Sequence, residues 1–124
     1  MLASGHPTAM RFDHARDYLL SLSGSEEGFP FGPEVMVFKV GGKMFATLSY
    51  EEVPCRMNLK CDPARALELR ERFASVIPGY HMNKKHWNTL ILDDELAPHT
   101  VEELIDHSYE LIVARLPKSR RPAL

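Results

Sequence analysis

The chain has 124 residues, of which 44% are hydrophobic and 26% are charged, and its formal net charge is −2 at pH 7. This length is typical of one domain of about 100–150 residues, and the composition argues against a disordered chain. A net charge so close to zero excludes a strong overall attraction to nucleic acid. The sequence contains no run of roughly 18 apolar residues, which a membrane span requires, and its first residues lead us to expect no secretory leader.

The charges are unevenly distributed along the chain. Residues 93–110 contain seven acidic and no basic residues, whereas residues 111–124 contain four basic and no acidic ones. Residues 35–61 hold four basic side chains against two acidic ones, and the basic ones are Lys39, Lys43, Arg56 and Lys60. This pattern predicts local potentials that the net charge conceals.

The first predicted element is a helix. Apolar residues recur at helical spacing, at Phe12, Ala15, Leu19 and Leu22, which is typical of a helix with one buried side. The Gly- and Pro-rich stretch over residues 24–33 predicts a loop. Three antiparallel strands are then expected over residues 35–40, 43–50 and 54–61, the first two joined by a tight turn at Gly41-Gly42.

The pairing register of this hairpin decides where the basic side chains point. A two-residue turn pairs Phe38 with Phe45, whereas a three-residue loop pairs Phe38 with Ala46. In the second case Lys39, Lys43, Arg56 and Lys60 share one outer face. A one-residue slip moves every side chain to the other face, so both registers stay open at this point.

Two further helices and one strand complete the prediction. Asp62 as N-cap and Pro63 predict a second helix, with Val76 on its buried side and Pro78-Gly79 ending it. Residues 86–92 read as a strand. A capping box formed by Thr100 and Glu103 predicts the start of the last helix, which Pro117 ends. Residues 1–9 and 117–124 are expected to be flexible.

The order of these elements predicts a single α+β domain over residues 1–124. Antiparallel strands beside helices favour a two-layer sandwich in which the helices pack on one face of the sheet. The other face is then partly open to solvent, and we expect a ligand to bind there.

Cys55 and Cys61 are the two cysteines. On one strand they would lie roughly 20 Å apart, at about 3.3 Å per residue, which is too far for a disulfide. Two free thiols are typical of a reducing compartment, so we expect a cytoplasmic protein. Their place on the apolar side of the strand indicates inert, buried thiols.

Neither a catalytic nor a metal-binding motif is present. The sequence lacks a G-x-S-x-G elbow, a P-loop, a G-x-G-x-x-G turn and an H-E-x-x-H helix. His81 and His86, like the two cysteines, do not have zinc-ligand spacing. The acidic run from Asp93 to Asp106 is explained either as a surface that attracts cations or, more simply, as a solvated start of a helix. We therefore expect a protein that is not an enzyme and has no cofactor and no bound metal.

Several short stretches resemble the MmcQ/YjbR family. The most specific is Gly79-Tyr80-His81-Met82-Asn83-Lys84 followed by His86-Trp87, and others are Pro30-Phe31-Gly32, Phe38-Lys39, Gly42-Lys43, Asn58-Leu59-Lys60 and Ser108-Tyr109. The resemblance covers nearly the whole chain. It implies an α+β fold similar to that of the frataxin-like proteins and a proposed DNA-binding role in which hairpins act as a double wing. It implies no catalytic residues.

The segment of residues 79–89 has two interpretations. In the first, lysines neutralise phosphates, His81 and Asn83 donate or accept hydrogen bonds, and Trp87 or Tyr80 stacks on a base. In the second, Tyr80 and Trp87 close the core, which we favour for Trp87, while Asn83 makes a turn and the lysines are merely solvated. The candidate DNA contacts are Lys39, Lys43, Arg56, Lys60, His81, Asn83, Lys84, Lys85, His86 and Trp87.

Three functional hypotheses follow. The first is a DNA-binding module that uses the hairpin, the open sheet face and the segment from Lys84 to Trp87. The second is a small-molecule or peptide-binding domain with a pocket near Tyr80, His81 and Trp87. The third is a metal-handling protein that uses the acidic patch.

Overall fold

The computed structural model describes residues 11–51 and 53–123. The flexibility expected of residues 1–9 therefore concerns residues outside the described part. Among the described residues, no helix is long and apolar enough to span a membrane. The helices are α1 (Phe12–Ser21), α2 (Pro63–Arg72) and α3 (Pro98–Arg115), and the strands are β1 (Glu26–Gly28), β2 (Val35–Val40), β3 (Lys43–Ser49), β4 (Arg56–Lys60), β5 (Val76–Pro78) and β6 (Trp87–Ile91).

The six strands form one antiparallel sheet in the order β1-β2-β3-β4-β6-β5. The first four strands follow one another as a meander. The chain then passes through α2 and the edge strand β5 before β6 pairs with β4. All three helices pack on one side of this sheet, so the predicted two-layer α+β sandwich is confirmed.

The core lies between the sheet and the helices because alternate residues of each strand point toward them. Leu48, Met57 and Leu90 form one row across three neighbouring strands and are almost completely buried. From the other side, Val101 and Ile105 of α3 cover the sheet and are fully buried. Thr47, Asn58 and Thr89 form the adjacent row. They therefore point to the opposite, helix-free face.

The β2–β3 hairpin combines both registers that the sequence left open. Gly41 and Gly42 form a two-residue turn, with φ of 58° and 83°, that pairs Val40 with Lys43 and Lys39 with Met44. A bulge then shifts the register, so that Phe38 pairs with Ala46. The extra residue in β3 is Phe45. A single register could not have described this hairpin, because a bulge gives two residues of one strand a single partner on the other.

Two strands are absent from the prediction, and the second helix is shorter than expected. Helix α2 ends at Arg72, with Phe73 extended at its C-cap, so Val76 lies in β5 opposite Leu90 and not on the helix. Asp62 is the N-cap as predicted, and its side chain accepts a hydrogen bond from Arg65 N at 3.2 Å. Strands β1 and β5 have three residues each. Such short strands show no alternation that a sequence pattern can reveal.

The predicted capping box of the last helix is wrong. Helix α3 begins two residues earlier than Thr100, at Pro98, and its N-cap Ala97 makes no side-chain hydrogen bond. Proline is favoured there because a first-turn N–H has no partner inside the helix. Glu103, the other half of the expected box, instead forms an ion pair with Arg65 of α2 at 2.8 Å.

The described part of the C-terminal segment contacts the rest of the chain, and the flexibility expected of residues 117–124 stays a prediction. Residues Lys118–Arg120 form a 3-10 turn, and the Arg121 guanidinium donates to Leu116 O at 3.0 Å. Farther along, Ala123 O accepts a hydrogen bond from the Ser23 hydroxyl at 3.1 Å. These contacts tie the tail to the end of α1 and to the end of α3.

Candidate functional site

A pocket of about 390 Å³ lies on the helix-free face of the sheet. Its floor is made by side chains of the central strands, with Thr47, Asn58 and Thr89 in one row and Ser49 beside Arg56 in the next. We call it the sheet-face pocket, and its lining residues are Phe31, Val35, Thr47, Ser49, Arg56, Asn58, Tyr80, His81, Met82 and Thr89.

Two loops form the walls of the sheet-face pocket. Phe31 belongs to the connection between β1 and β2, whereas Tyr80, His81 and Met82 belong to the connection between β5 and β6. Phe31 is 68% exposed and Tyr80 is 62% exposed. Large aromatic side chains that are exposed beside a concave surface are typical of a binding site, because a ligand would bury them.

The floor is organised by a short chain of hydrogen bonds. Thr89 Oγ1 accepts from Tyr80 N at 3.0 Å and donates to Asn58 Oδ1. Thr89 is only 1% exposed. One threonine hydroxyl therefore connects the wall loop to the amide in the floor and orients both.

The loop between β5 and β6 is held close to the sheet by Gly79. A Cβ atom at Gly79 would lie 2.8 Å from Trp87 Cβ and 2.9 Å from Trp87 O. Because only glycine permits this approach, Gly79 N can donate to Trp87 O at 2.9 Å. His81 then adopts a φ of 60°, and its ring contacts that of Tyr80 at a tilt of 50°, with the centroids 4.0 Å apart.

Arg70 of α2 holds the same loop from the other side of the sheet. Its guanidinium donates to Asn88 Oδ1 at 2.7 Å, to Trp87 O at 3.2 Å and to Lys84 O. Asn88 is almost fully buried on the helix side of β6. The sequence does not single out Arg70, since a basic residue near the end of a helix is normally a solvated side chain.

The side chains of residues 79–89, the segment with the candidate DNA contacts, do not share one environment in the structure. Asn83 makes a turn, in which its side chain accepts from Lys85 N at 2.9 Å. Lys84 and Lys85 are both exposed, and Lys84 Nζ donates to Gly79 O at 3.2 Å. His86 is half-buried. Only His81 of the candidate contacts in this segment lines the sheet-face pocket.

The expectation that Trp87 closes the core is wrong, and so is the alternative in which Tyr80 closes it too. Tyr80 is exposed, and Trp87 is half-buried. Trp87 pairs with Lys60 across β6 and β4, in the row that follows Asn58 on the helix-free face. It is not a wall of the sheet-face pocket, so the pocket predicted near Tyr80, His81 and Trp87 contains only the first two.

The four basic residues of the strands do not share one face. Arg56 lines the sheet-face pocket. Lys60 lies four residues further along the same strand and so on the same face. Lys39 is exposed on this face, where its ladder partner is Glu26. Lys43 pairs with the buried Val40 and so points to the opposite side. Burial, and to a lesser extent Arg115, lowers the pKa of the Lys60 ammonium.

The two cysteines stand just outside the ends of β4 and are free thiols. Burial raises the pKa of both Cys55 and Cys61, which disfavours the reactive thiolate. Within residues 11–51 and 53–123, no three His, Cys, Asp or Glu side chains are grouped so that they could hold a metal ion. The acidic residues of the 93–110 run thus form no such cluster there.

Most of the pocket residues were not among the candidates from the sequence. Thr47 and Ser49 alternate with Ala46 and Leu48 in β3, and this alternation does place them on the outer face. Thr89 follows the polar Asn88 in β6, so no such alternation marks it. Phe31 gave no such signal. Its position opposite Tyr80 depends on the strand order, which brings together two loops almost fifty residues apart.

Comparisons with known proteins give a consistent result. Residues 20–111 match the model of the YjbR family. The chain is 40% identical to "Uncharacterized protein YbdF" of Escherichia coli O157:H7 over 113 residues, which are 91% of this chain and 88% of that protein. It is 30% identical to "Uncharacterized protein YjbR" of Escherichia coli K12 over 115 residues, with 93% and 98% covered.

Two solved structures are similar in fold. The crystal structure of the Deinococcus radiodurans protein DR2400, described as a DUF419 domain, gives a TM-score of 0.84 at 39% identity, with 89% of this chain and 84% of that chain covered. A crystal structure of a Pseudomonas syringae protein gives a TM-score of 0.72 at 26% identity, with 82% and 98% covered.

Proposed function

This chain belongs to the YjbR family, and we propose that it is a ligand-binding domain whose site is the sheet-face pocket. The observation that carries the proposal is the pocket itself. Its volume of about 390 Å³ falls within the range of about 300–1,000 Å³ that is typical of small-molecule sites. Exposed aromatic walls and a hydrogen-bonded polar floor give such a site both affinity and orientation.

The electrostatics of the pocket favour an anionic or polar ligand. Arg56 and His81 are the basic residues among the described residues that line it, and none of those described residues is acidic. A guanidinium presents a planar fork of donors that fits a carboxylate or a phosphate. The role proposed is binding without a catalytic step.

A fragment screen observed by NMR tests this function. We expect small planar acids to shift the amide resonances of both wall loops, near Phe31 and near Tyr80, together with those of Asn58 and Thr89. Leu67 on α2 is 60% exposed and lies on the helix side of the sheet, so its amide is the internal control. Fragments that bind nowhere, or that shift only the α2 surface, contradict the proposal.

DNA binding across the same face is the second candidate. The observation that favours it is that Lys39, Arg56 and Lys60 lie on the side of the sheet that no helix covers. Glu26 beside Lys39 and the partial burial of Lys60 reduce this positive potential. Lys84 supports the DNA-binding hypothesis less than we expected from the sequence, since its ammonium already donates to Gly79 O.

The salt dependence of binding to a generic duplex tests the DNA hypothesis. Each phosphate that is neutralised contributes about −0.9 to the slope of log K against log salt concentration. We expect Lys39→Ala and Lys60→Ala each to reduce this slope by about one. Lys43→Ala is the matched control, because Lys43 is exposed on the other side of the same hairpin. No binding at low salt, or an equal effect of all three variants, contradicts a contact through this face.

A further inference from the structure

The amide of Asn58 is oriented by its neighbours in a way that presents both a donor and an acceptor to the pocket. The Thr89 hydroxyl receives the Tyr80 N–H, so it directs its own proton to Asn58 Oδ1. This bond identifies Oδ1 as the acceptor and Nδ2 as the donor of the amide. Among the described residues, none accepts a hydrogen bond from Asn58 Nδ2. The N–H groups and one oxygen lone pair remain for a ligand.

A side-chain amide that presents both a donor and an acceptor is complementary to the edge of a nucleobase. Bases carry adjacent donors and acceptors on their edges, and a carboxamide can bond to two of them at once. Asn58 is half-buried in the floor of the pocket. A base that bonded to it would therefore lie inside the pocket.

The walls provide surfaces for the faces of a planar ring. The rings of Tyr80 and His81 are in tilted contact, with their centroids 4.0 Å apart and 50° between their planes, and Phe31 lines the pocket from the other loop. Both Phe31 and Tyr80 are exposed, so a ring between them would bury apolar surface on both sides. Stacking of this kind is the usual way in which proteins hold unpaired bases.

Arg56 supplies a positive charge at a suitable distance from Asn58. The two residues point to the same face of β4 and are two positions apart, which corresponds to about 7 Å along a strand. A base on Asn58 therefore leaves its phosphate within reach of the guanidinium. A phosphate would add to the contacts of Arg56, since a guanidinium has five N–H donors.

We propose that the sheet-face pocket binds a nucleotide, with the base stacked between the wall loops and bonded to Asn58 and the phosphate beside Arg56. This inference rests on the proposed function, because it names the ligand class of the same pocket. The shared chemistry is a base that carries a phosphate. Its source is either a free nucleotide or an unpaired base in a single strand.

Titration of the full chain with defined ligands, followed by NMR, tests the inference. We expect AMP and UMP to shift the resonances of Asn58, Thr89 and Tyr80. Adenosine should bind at least fivefold more weakly than AMP, and ribose 5-phosphate should leave these resonances unchanged. Binding of ribose 5-phosphate as tight as that of AMP would show a phosphate site without base recognition and would overturn the inference.

The AMP affinities of four variants distinguish a loss of stacking or of hydrogen bonds from a general loss of structure. Tyr80→Ala should weaken AMP binding at least fivefold, whereas Tyr80→Phe, which keeps the ring, should stay within twofold. Asn58→Asp keeps the oxygen that accepts from Thr89 but removes the N–H donors, so we expect at least a tenfold loss. Leu67→Ala changes an exposed residue on the helix side and should have no effect. Equal affinities for Tyr80→Ala, Asn58→Asp and Leu67→Ala would contradict the inference.

Comparison of ligand lengths distinguishes the two sources. A single strand of about ten nucleotides lies within the usual site sizes of about 4–16 nucleotides. Tighter binding of this strand than of AMP and of a matched duplex identifies an unpaired base as the source, and the reverse order identifies a free nucleotide. If neither ligand shifts the pocket resonances, the inference is wrong. The proposed function then survives only if planar acids without a phosphate still bind there.

Discussion

Ser108 completes the hydrogen bonding of two strands with a single hydroxyl. It lies on α3, is fully buried, accepts from Lys60 N at 2.9 Å and donates to Phe45 O at 2.6 Å. The β3–β4 ladder stops at the pair of Ala46 and Leu59, next to the bulge at Phe45. Ser108 thus satisfies two backbone groups that the ladder leaves without partners.

Replacement of Ser108 should therefore be costly. We expect Ser108→Ala to lower the free energy of unfolding by about 1–3 kcal/mol, because it leaves buried polar groups unsatisfied. Urea denaturation measures this change. The control is Ser119→Ala at an exposed position, where an effect within about 0.5 kcal/mol is expected. A Ser108 variant as stable as the control would show that water or a shift of the strands replaces the hydroxyl.

His107 makes stability depend on pH. Its Nε2 lies 3.2 Å from Asp62 N, which must donate to an unprotonated nitrogen. Burial, followed by the positive charge of Arg65, lowers the pKa of His107 below its ordinary value of 6.5, although Asp62, Glu110 and Glu103 act in the opposite direction. The folded state therefore binds fewer protons on this residue than the unfolded chain.

The sign of the effect follows from this difference. The contribution of His107 to stability is present above pH 6.5 and is lost as the pH falls below it toward the lowered value. We expect His107→Gln to lose less stability than the parent chain between pH 7.5 and pH 5.5 in urea denaturation. The variant His99→Gln, at an exposed position, serves as the control. Parallel pH profiles for the parent and His107→Gln would contradict this assignment.

At the scale of elements, α2 positions a wall of the pocket that it does not touch. Arg70 reaches from the helix to Asn88, Trp87 and Lys84, and so fixes the loop between β5 and β6. This loop carries Tyr80 and His81. The guanidinium of Arg70 thus connects the helix-covered face of the sheet to a loop that lines the pocket on the helix-free face.

Loss of Arg70 should loosen this loop more than the rest of the domain. We expect Arg70→Met to speed amide hydrogen exchange of residues 84–88 and to lower the free energy of unfolding by about 1.5–3 kcal/mol, because the bonds of a charged group are lost. The matched control is Arg72→Met, since Arg72 is exposed on the same helix and its guanidinium lies 5.3 Å from the ring centroid of Phe73. Unchanged exchange over residues 84–88 would show that Gly79 and the β6 ladder hold the loop without Arg70.

At the scale of the whole molecule, one core joins all parts of the fold. A single cluster of buried residues includes Leu19 of α1, Leu69 of α2 and Ile105 of α3, together with residues from the sheet such as Phe38 and Leu90. A helix or strand whose apolar side is buried only against the other elements is not stable alone. We therefore expect the described domain to unfold in one cooperative transition.

The single tryptophan makes this prediction easy to check. Trp87 lies in β6, next to the edge strand β5, and the chain has no other tryptophan. Its fluorescence should follow the same urea curve as the circular dichroism of the helices and strands. A fluorescence midpoint at lower urea would show that the β5–β6 edge, and with it one wall of the pocket, opens separately.

The sequence alone predicted the helices and strands that have a strong pattern of apolar and capping residues. It failed where that pattern covers only three residues or where the contact joins segments distant in sequence. The apolar stripe of α1, the alternation in β4 and the N-cap Asp62 each act within a few neighbouring residues, and these predictions are confirmed. Three-residue strands provide no such pattern. The start of α3 was wrong because two local signals, Pro98 and Thr100, compete within one turn.

The sequence by itself determined the fold class, because alternation and helical period depend only on neighbouring residues. Only the tertiary structure decided the register of the hairpin, where the two-residue turn pairs Val40 with Lys43 and so places Lys43 on the side away from Lys39. It alone placed Phe31 and Tyr80 on opposite walls of one pocket. The physical reason is that contacts between distant segments follow from strand order and register, which local side-chain patterns do not encode.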